Sequence, residues 1–268
     1  GGVLPGFSAK SYRNIVGAND KIRMGAIGVN ARGNALASGF AKENGCEIAY
    51  VCDVDKRAAA KCITNVQELA GNTPKTENDI RKLLELKDLD AVFIATPEHW
   101  HAPAALMAMK AGKHVYLEKP TGHNPAENEL LMEAVKKYKL VVATGMQRRS
   151  WPNVRKAIQE VQEGVIGNVY FGKAWYVNNR ASIGTGKATA VPDWLDWELW
   201  QGPAPRVSEY KDNYLHYNWH WFYHWGTGES GNNAVHFIDL LRWGMGLTFP
   251  SEVNSMGGRF RYEDDWQF

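Results

Sequence analysis

The stretch IRMGAIGVNARGNALA, residues 22–37, decides the fold, because a short apolar run passes through a glycine-containing loop directly into a helical pattern. Its centre, GVNARG at 28–33, has the form G-x-N-x-x-G. Glycines at such a turn allow tight backbone geometry and close contact between strand and helix. The stretch therefore predicts a first strand, loop and helix of a parallel α/β sheet.

The rest of the first half repeats this alternation of apolar runs and helical stretches. These runs are apolar throughout and do not alternate with polar residues, which is typical of strands buried on both faces of a parallel sheet. We therefore expect a doubly wound α/β domain over residues 20–150. Strands are predicted at 22–28, 47–53, 90–96, 114–118 and 140–145, and helices near 33–44, 56–70, 79–86, 102–111 and 125–138.

The composition changes after residue 150. Seven of the eleven tryptophans lie between Trp194 and Trp243, and NVYFGKAWYV at 168–177 is strand-like. Pro152 marks the boundary. We expect residues 151–268 to form a second, α+β domain with a largely antiparallel sheet.

Overall composition excludes several classes of protein. The 268 residues carry a net charge of +2 without a long charged block, so nothing favours nucleic acid as a partner. The sequence contains no run of eighteen apolar residues, so no membrane span is predicted. Three closely spaced cysteines (Cys46, Cys52 and Cys62) fit neither a disulfide framework nor a zinc motif, and we expect plain thiols.

The loop at 28–33 predicts a dinucleotide site. Asn30 stands where the usual fingerprint has glycine, but asparagine can adopt left-handed backbone angles. Asp53 ends the second predicted strand, where a carboxylate binds a ribose 2′-hydroxyl and favours NAD over NADP. Lys56 and Arg57 keep NADP open. The residues expected to bind the cofactor here are Gly28, Asn30, Ala31, Arg32, Gly33 and Asp53.

Two further strand exits carry polar groups. The run at 90–96 ends in TPEHWHAP, and the run at 114–118 ends in Glu118-Lys119-Pro120. In doubly wound sheets, ligands lie beyond the carboxyl ends of the strands. His101 and Lys119 are therefore site candidates, although a helix-start histidine and a surface lysine explain the same positions.

The segment TPEHWHAPAALMAMKAGKHVYLEKP at 96–120 resembles the signature of the glucose–fructose oxidoreductase, inositol dehydrogenase and MocA family. The resemblance resumes at WELWQGPAP (197–205) and GTGESGNNAVHFIDLLRW (226–243). It implies a Rossmann domain and a catalytic Lys119 that touches the nicotinamide ribose and the substrate. It also implies that the nicotinamide half is positioned by Thr96, Pro97, His101, Glu118, Lys119 and Gln147.

The same resemblance identifies His236 as the catalytic histidine of the second domain. Asn232 stands where the family usually has aspartate, and an amide can orient groups but cannot take a charge. We expect hydride transfer between NAD, or NADP, and a hydroxyl-bearing carbon of a sugar, glycoside or cyclitol. His236 would act as base, and Lys119 would stabilise the alkoxide.

Two other functions stay open. Some relatives are NAD-dependent glycosidases that oxidise a sugar, eliminate the glycoside and reduce the product again, but that group lacks the lysine of E-K-P. The replacement at Asn232 also permits a non-catalytic NAD-binding sensor. The aromatic and histidine stretch 215–225 could stack on sugar or fill a core. His220 and His224 lack a third ligand, so we expect no metal.

The resemblance also implies a homo-oligomer and a second domain longer than residues 151–268 provide. The segment GGVLPGFSAKS at 1–11 is similar to the residues found directly after a twin-arginine signal. We therefore expect a periplasmic or secreted protein, with the cytoplasm as the alternative.

Overall fold

The computed structural model describes residues 21–268, which contain a six-stranded parallel sheet in the order β3-β2-β1-β4-β5-β6. The strands are β1 Ile22–Ile27, β2 Cys46–Cys52, β3 Lys75–Glu77, β4 Ala91–Ile94, β5 His114–Leu117 and β6 Val142–Thr144. Because the strand order reverses between β1 and β4, a crevice opens at the carboxyl ends of these two strands. The predicted Rossmann fold is confirmed.

Helices cover both faces of the sheet. The α-helices are α1 Arg32–Phe40, α2 Lys56–Ala70, α3 Ile80–Leu84, α4 His101–Lys110, α5 Pro125–Tyr138, α6 Pro152–Gln162, α7 Trp197–Gln201 and α8 Val235–Gly244. One apolar cluster lies on each face, and central strand residues such as Val92, Phe93 and Ile94 are fully buried. This burial explains the continuous apolar runs.

Helix α5 shows how local sequence sets an element boundary. The Asn124 side chain accepts a hydrogen bond from the Glu127 N–H at 3.1 Å, and Pro125 takes the first helical position. The Glu127 carboxylate accepts from the His123 N–H at 2.6 Å, one residue earlier than a capping box requires. The predicted start of the helix is confirmed.

The strand β3 was not predicted. It has only three residues, Lys-Thr-Glu, and carries no apolar signal of its own. It is defined by its pairing with β2, in which Tyr50 is opposite Lys75. Short polar strands of this kind arise from tertiary pairing rather than from local propensity.

The antiparallel sheet expected of the second domain stays a prediction. Residues 168–177 form no strand, and no antiparallel sheet forms within 151–268, where Ala188 and Lys211 make an isolated antiparallel bridge. The side chains of Tyr170, Phe171 and Trp175 are exposed. A strand needs a partner for its N–H and C=O groups, and none of the described residues pairs with this segment.

The second half instead packs an aromatic core against the sheet domain. Trp197, Trp200 and Trp225 are buried together, with ring centroids 4.9–5.7 Å apart. Backbone hydrogen bonds join the two parts, from Lys56 N–H to the Trp194 carbonyl at 3.0 Å and from Asp196 N–H to the Val54 carbonyl at 3.0 Å. This contact places the second half over the carboxyl ends of the strands.

Three remaining predictions concern single features. The three cysteines are free, and Cys52 and Cys62 are buried, as expected of plain thiols. Across residues 21–268, no helix is long and apolar enough to cross a bilayer. The segment GGVLPGFSAKS, on which the expectation of export rests, lies outside the described residues.

Candidate active site

A cavity of about 490 Å³ lies at the carboxyl ends of β1, β2, β4 and β5. The phosphate loop and both strand exits line one side, and residues of the second half, including Tyr217, Asn232 and His236, line the other. Every site residue predicted from sequence lines this cavity except Gly33, which lies directly beneath the loop.

The glycines of the phosphate loop have separate structural reasons. Gly28 has φ +76°, and a Cβ there would lie 2.7 Å from the Thr96 backbone nitrogen. A Cβ at Gly33 would lie 1.8 Å from the Gly28 carbonyl oxygen, so α1 can pack this closely only with glycine. Asn30 does not have positive φ, so the left-handed conformation expected of it is not used.

Helix α1 begins after Ala31 without a side-chain cap, so its first N–H groups are free to bind phosphate. Asp53 lines the cavity below this point. Its carboxylate accepts hydrogen bonds from the N–H groups of Val29, at 2.6 Å, and Asp55, at 2.9 Å. Burial raises the pKa of Asp53 against the effect of these two bonds. Each oxygen keeps a lone pair for a ribose hydroxyl.

Of the two basic residues that follow Asp53, Arg57 is already paired with other groups of the protein. The Arg57 guanidinium pairs with Asp55 at 3.0 Å and lies 3.3 Å above the centroid of the Trp194 ring. Asp55 also pairs with His216 Nε2 at 2.9 Å. Arg57 therefore binds the second half of the chain, and this position does not favour a 2′-phosphate.

His101 connects the two strand exits. Its Nε2 lies 2.9 Å from the Thr96 carbonyl and its Nδ1 lies 2.6 Å from the Pro120 carbonyl. The ring is buried, and burial lowers its pKa although the carbonyls raise it. A neutral imidazole donates to only one of these carbonyls at a time. The geometry indicates that His101 aligns the two loops.

Glu118 is buried beside the phosphate loop. Its Oε1 accepts from Arg32 Nε at 2.6 Å. A Cβ at Gly145 would lie 2.7 Å from the Glu118 carboxyl carbon, so glycine makes room for this carboxylate. The pair fixes Arg32 at the start of α1, where the cofactor phosphates are expected.

Lys119 joins the strand exit to the second half. Its Nζ donates to the backbone carbonyl of Asn232 at 2.6 Å. Burial lowers the pKa of the ammonium, and the charges of Glu98 and Glu118 oppose this shift. A hydrogen-bonded cation with a lowered pKa in a cavity is suited to stabilising charge that develops on a substrate oxygen.

Asn232 lies in the π-helical turn Ser230–Ala234, and His236 lies directly after it in α8. Burial, with the positive charges of Lys119 and Arg148, lowers the pKa of His236. Its imidazole is therefore neutral at neutral pH and able to accept a proton. The Asn232 amide donates to the Tyr217 hydroxyl at 3.0 Å, so the amide orients a neighbouring hydroxyl.

Two residues of the cavity were missed by the sequence reasoning. Glu98 is 1% exposed and accepts a hydrogen bond from the Thr227 hydroxyl at 2.5 Å. Burial raises the pKa of Glu98 to about 7, against the opposing effects of Thr227 and Lys119. Tyr217 is the second: the sequence shows it only as one member of the aromatic stretch 215–225. The sequence shows Glu98 at a strand exit, within TPEHWHAP, but no local pattern indicates that its side chain is buried.

The stretch 215–225 contributes residues both to the core and to the cavity. Trp221 and Trp225 are buried core residues, whereas Tyr217, Trp219 and His220 line the cavity. Within residues 21–268, no group of three or more histidine, cysteine or acidic side chains is arranged to hold a metal.

The lining fits a dinucleotide. Thr96 Oγ1 and Gln147 Oε1 are buried polar atoms without a hydrogen-bond partner in the described structure, and both belong to the lining. Buried polar atoms are normally paired, so these two are suited to a polar ligand. With the uncapped start of α1 and the Asp53 carboxylate, they place polar groups at separate points of the cavity lining.

Comparison with known proteins identifies relatives of this chain. The family described as "Oxidoreductase family, NAD-binding Rossmann fold" matches residues 22–146. A glycosyl hydrolase family 109 protein of Saccharopolyspora erythraea is 30% identical over 181 residues, which is 66% of this chain and 39% of that protein. A Shewanella sp. (strain ANA-3) protein of the same description is 31% identical over 185 residues, covering 66% of this chain and 40% of that protein. The chain thus spans about 40% of the length of these curated relatives.

Solved structures give a consistent picture. The scyllo-inositol dehydrogenase of Lactobacillus casei, solved with NAD(H) and scyllo-inositol, is 27% identical and superposes with a TM-score of 0.51 over 55% of this chain and 43% of that chain. A structure from Sinorhizobium meliloti covers 84% of this chain and 56% of that chain with a TM-score of 0.56. At 20% identity the second likeness shows the fold alone.

Proposed function

We propose that this chain, which belongs to the glucose–fructose oxidoreductase, inositol dehydrogenase and MocA (Gfo/Idh/MocA) family, is an NAD-dependent dehydrogenase. It would act on a CH–OH group of a cyclitol or sugar. The observation that carries the proposal is the 2.6 Å hydrogen bond from Lys119 Nζ to the Asn232 carbonyl. It brings the strand exit and the helix of His236 to one cavity that also contains the phosphate loop.

The proposed reaction uses three side chains. His236, neutral through burial, accepts the proton of the substrate hydroxyl. The Lys119 ammonium donates to the same oxygen and stabilises the alkoxide as the carbonyl forms. The backbone carbonyl of Asn232 holds Lys119, and its side-chain amide orients Tyr217. Bound NAD supplies the redox chemistry by accepting the hydride.

Cofactor binding is assigned to the loop and the strand exits. The free N–H groups of α1 and Arg32 bind the pyrophosphate, and Asp53 binds the adenosine ribose. Thr96 and Gln147 contact the nicotinamide half, and Glu118 keeps Arg32 in place. The Asp53 carboxylate and the engaged Arg57 support NAD rather than NADP.

A substrate screen tests this proposal. The protein is incubated with NAD or NADP and a panel of cyclitols, sugars and glycosides, and reduced nicotinamide is followed by absorbance. We expect NAD reduction with at least one cyclitol or sugar. Tight NAD binding without reduction by any member of the panel would contradict dehydrogenase activity and favour a sensor.

The family 109 glycosyl hydrolase relatives favour a second candidate, glycoside cleavage through transient oxidation. This reaction regenerates NAD, so glycoside would be cleaved without accumulation of NADH. Measuring aglycone release and nicotinamide absorbance in the same sample separates the two functions. The retained Lys119 supports net oxidation.

We also propose that the protein assembles as a homo-oligomer and works in the periplasm or outside the cell. Sedimentation analysis tests the first proposal, and fractionation of the native host tests the second. A monomer, or a protein found only in the cytoplasmic fraction, would contradict the respective proposal.

A further inference from the structure

Glu98 is a buried carboxylate that the reaction described above leaves without a role. It lies in the 3-10 turn Glu98–Trp100, directly after the exit of β4, and lines the cavity. Its hydrogen-bond partner is the Thr227 hydroxyl, which comes from the loop before α8. A buried carboxylate in a cavity is costly, so its surroundings determine what it can do.

Two other carboxylates act on Lys119, and each has a cation of its own. Glu118 pairs with Arg32 at 2.6 Å. Glu229 pairs with Arg180. By contrast, the hydrogen-bond donor to the Glu98 side chain among residues 21–268 is a neutral hydroxyl. The Thr227 hydroxyl lies against Gly231, where a Cβ would be 1.9 Å from it, and the next residue, Asn232, accepts the hydrogen bond from Lys119. Glu98 and Lys119 are therefore bound to the same short segment of the second half. No guanidinium in residues 21–268 pairs with Glu98, and its charge raises the pKa of Lys119.

We propose that Glu98 is a positioning residue for Lys119: the ionised carboxylate keeps the ammonium charged within the cavity, and protonation of the carboxylate removes this support. Asn232 cannot carry a charge where the family usually has aspartate. Glu98 supplies a negative charge from the opposite side of the cavity, on the strand exit rather than on the helix.

The surrounding groups allow Glu98 to change charge near neutral pH. Burial raises its pKa to about 7. Burial lowers the pKa of His220 to about 3 and also lowers the pKa values of His101 and His236, so these rings stay neutral in that range. The other charged groups that act on Lys119 are Arg32, Glu118 and Glu229. Arg180 and Arg148 act on the neighbouring rings of His220 and His236.

The role of Lys119 in turnover rests on the proposed function, but its electrostatic coupling to Glu98 does not. The test therefore measures Lys119 directly in the full chain without NAD or substrate. The protein is labelled with trace acetic anhydride across a pH series, and the labelled peptides are quantified by mass spectrometry. The exposed Lys136 on α5 serves as the reference in the same digest.

Glu98→Gln is expected to lower the titration midpoint of Lys119 by on the order of one pH unit, with Lys136 unchanged. Glu98→Asp, which keeps a carboxylate, is expected to keep the midpoint closer to that of the wild type and provides a second variant should the first fold poorly. Equal midpoints in wild type and Glu98→Gln, or a midpoint in Glu98→Asp as low as in Glu98→Gln, would overturn the proposal. Absence of turnover would contradict only the proposed function.

Discussion

The substitution Glu98→Gln should change how the stability of the protein depends on pH. Burial raises the pKa of Glu98 from its ordinary value of 4.5 to about 7 in the folded protein. Between these two values the folded state binds a proton that the unfolded state has lost. The contribution of Glu98 to stability is therefore fully present below pH 4.5 and is lost as pH rises through about 7.

The magnitude is set by linkage. For these two pKa values, the free energy of unfolding of the wild type loses about 2.5 kcal/mol between about pH 5 and about pH 8 through this group alone. Glutamine has nearly the same shape and does not titrate. The difference in stability between Glu98→Gln and the wild type should therefore move by about 2.5 kcal/mol in favour of the variant over this range.

Urea unfolding followed by tryptophan fluorescence at several pH values measures this difference. Titrating groups that do not interact with Glu98 contribute equally to both proteins and cancel in the comparison. Parallel curves of stability against pH for the two proteins would refute the reasoning, because they would mean that Glu98 titrates alike in the folded and unfolded chain.

Three further predictions concern the loop, the cofactor and the fold. Gly33→Ala places a Cβ 1.8 Å from the Gly28 carbonyl and should cost about 1–3 kcal/mol of stability and most of the affinity for NAD. The control Gly39→Ala, on the same helix, has nothing within 4 Å of its Cβ and should have neither effect. Unfolding and NAD titrations measure both variants, and similar behaviour of the two would contradict the packing argument. Asp53→Ser should weaken NAD binding about tenfold and reduce the preference for NAD over NADP, as measured by titration with each nucleotide. An unchanged preference would contradict the assignment of Asp53 to the ribose site. Lys113→Met removes hydrogen bonds to two carbonyls, at 2.8 Å and 2.7 Å, and should lower the free energy of unfolding by about 2 kcal/mol, while an unchanged urea midpoint would contradict this.

The sheet domain could be predicted because local and tertiary signals agree there. Strands buried on both faces must be apolar throughout, and helix starts such as Asn124-Pro125 are marked by capping chemistry. The loop at 28–33 and Asp53 have a fixed spacing that results from the geometry of one strand–helix–strand unit. These features depend on neighbouring residues and so are visible in sequence.

The features that could not be predicted depend on long-range contacts. The strand at 75–77 exists only through its pairing with β2, and residues 168–177 have strand-like composition but no partner among the described residues. Lys119 and Asn232 are 113 residues apart, and Glu98 and Thr227 are 129 apart. The resemblance to a family predicts that Lys119 and His236 belong to one site, but no local pattern shows that Glu98, the acid in TPEHWHAP, is buried.

Lys119 is the group on which the proposed chemistry depends most directly, because it would touch both the nicotinamide ribose and the reacting substrate oxygen, whereas the pyrophosphate and the adenosine ribose are assigned to other residues. The decisive measurement compares wild type, Lys119→Met and the control Lys110→Met, an exposed lysine at the end of α4, in NAD titrations and in turnover with a cyclitol or sugar that the wild type oxidises. We predict that Lys119→Met binds NAD within about threefold of wild type but loses turnover by about 100-fold or more, as expected when a donor to a developing alkoxide is removed, and that Lys110→Met retains both. Turnover by Lys119→Met equal to that of the wild type would contradict this role of Lys119.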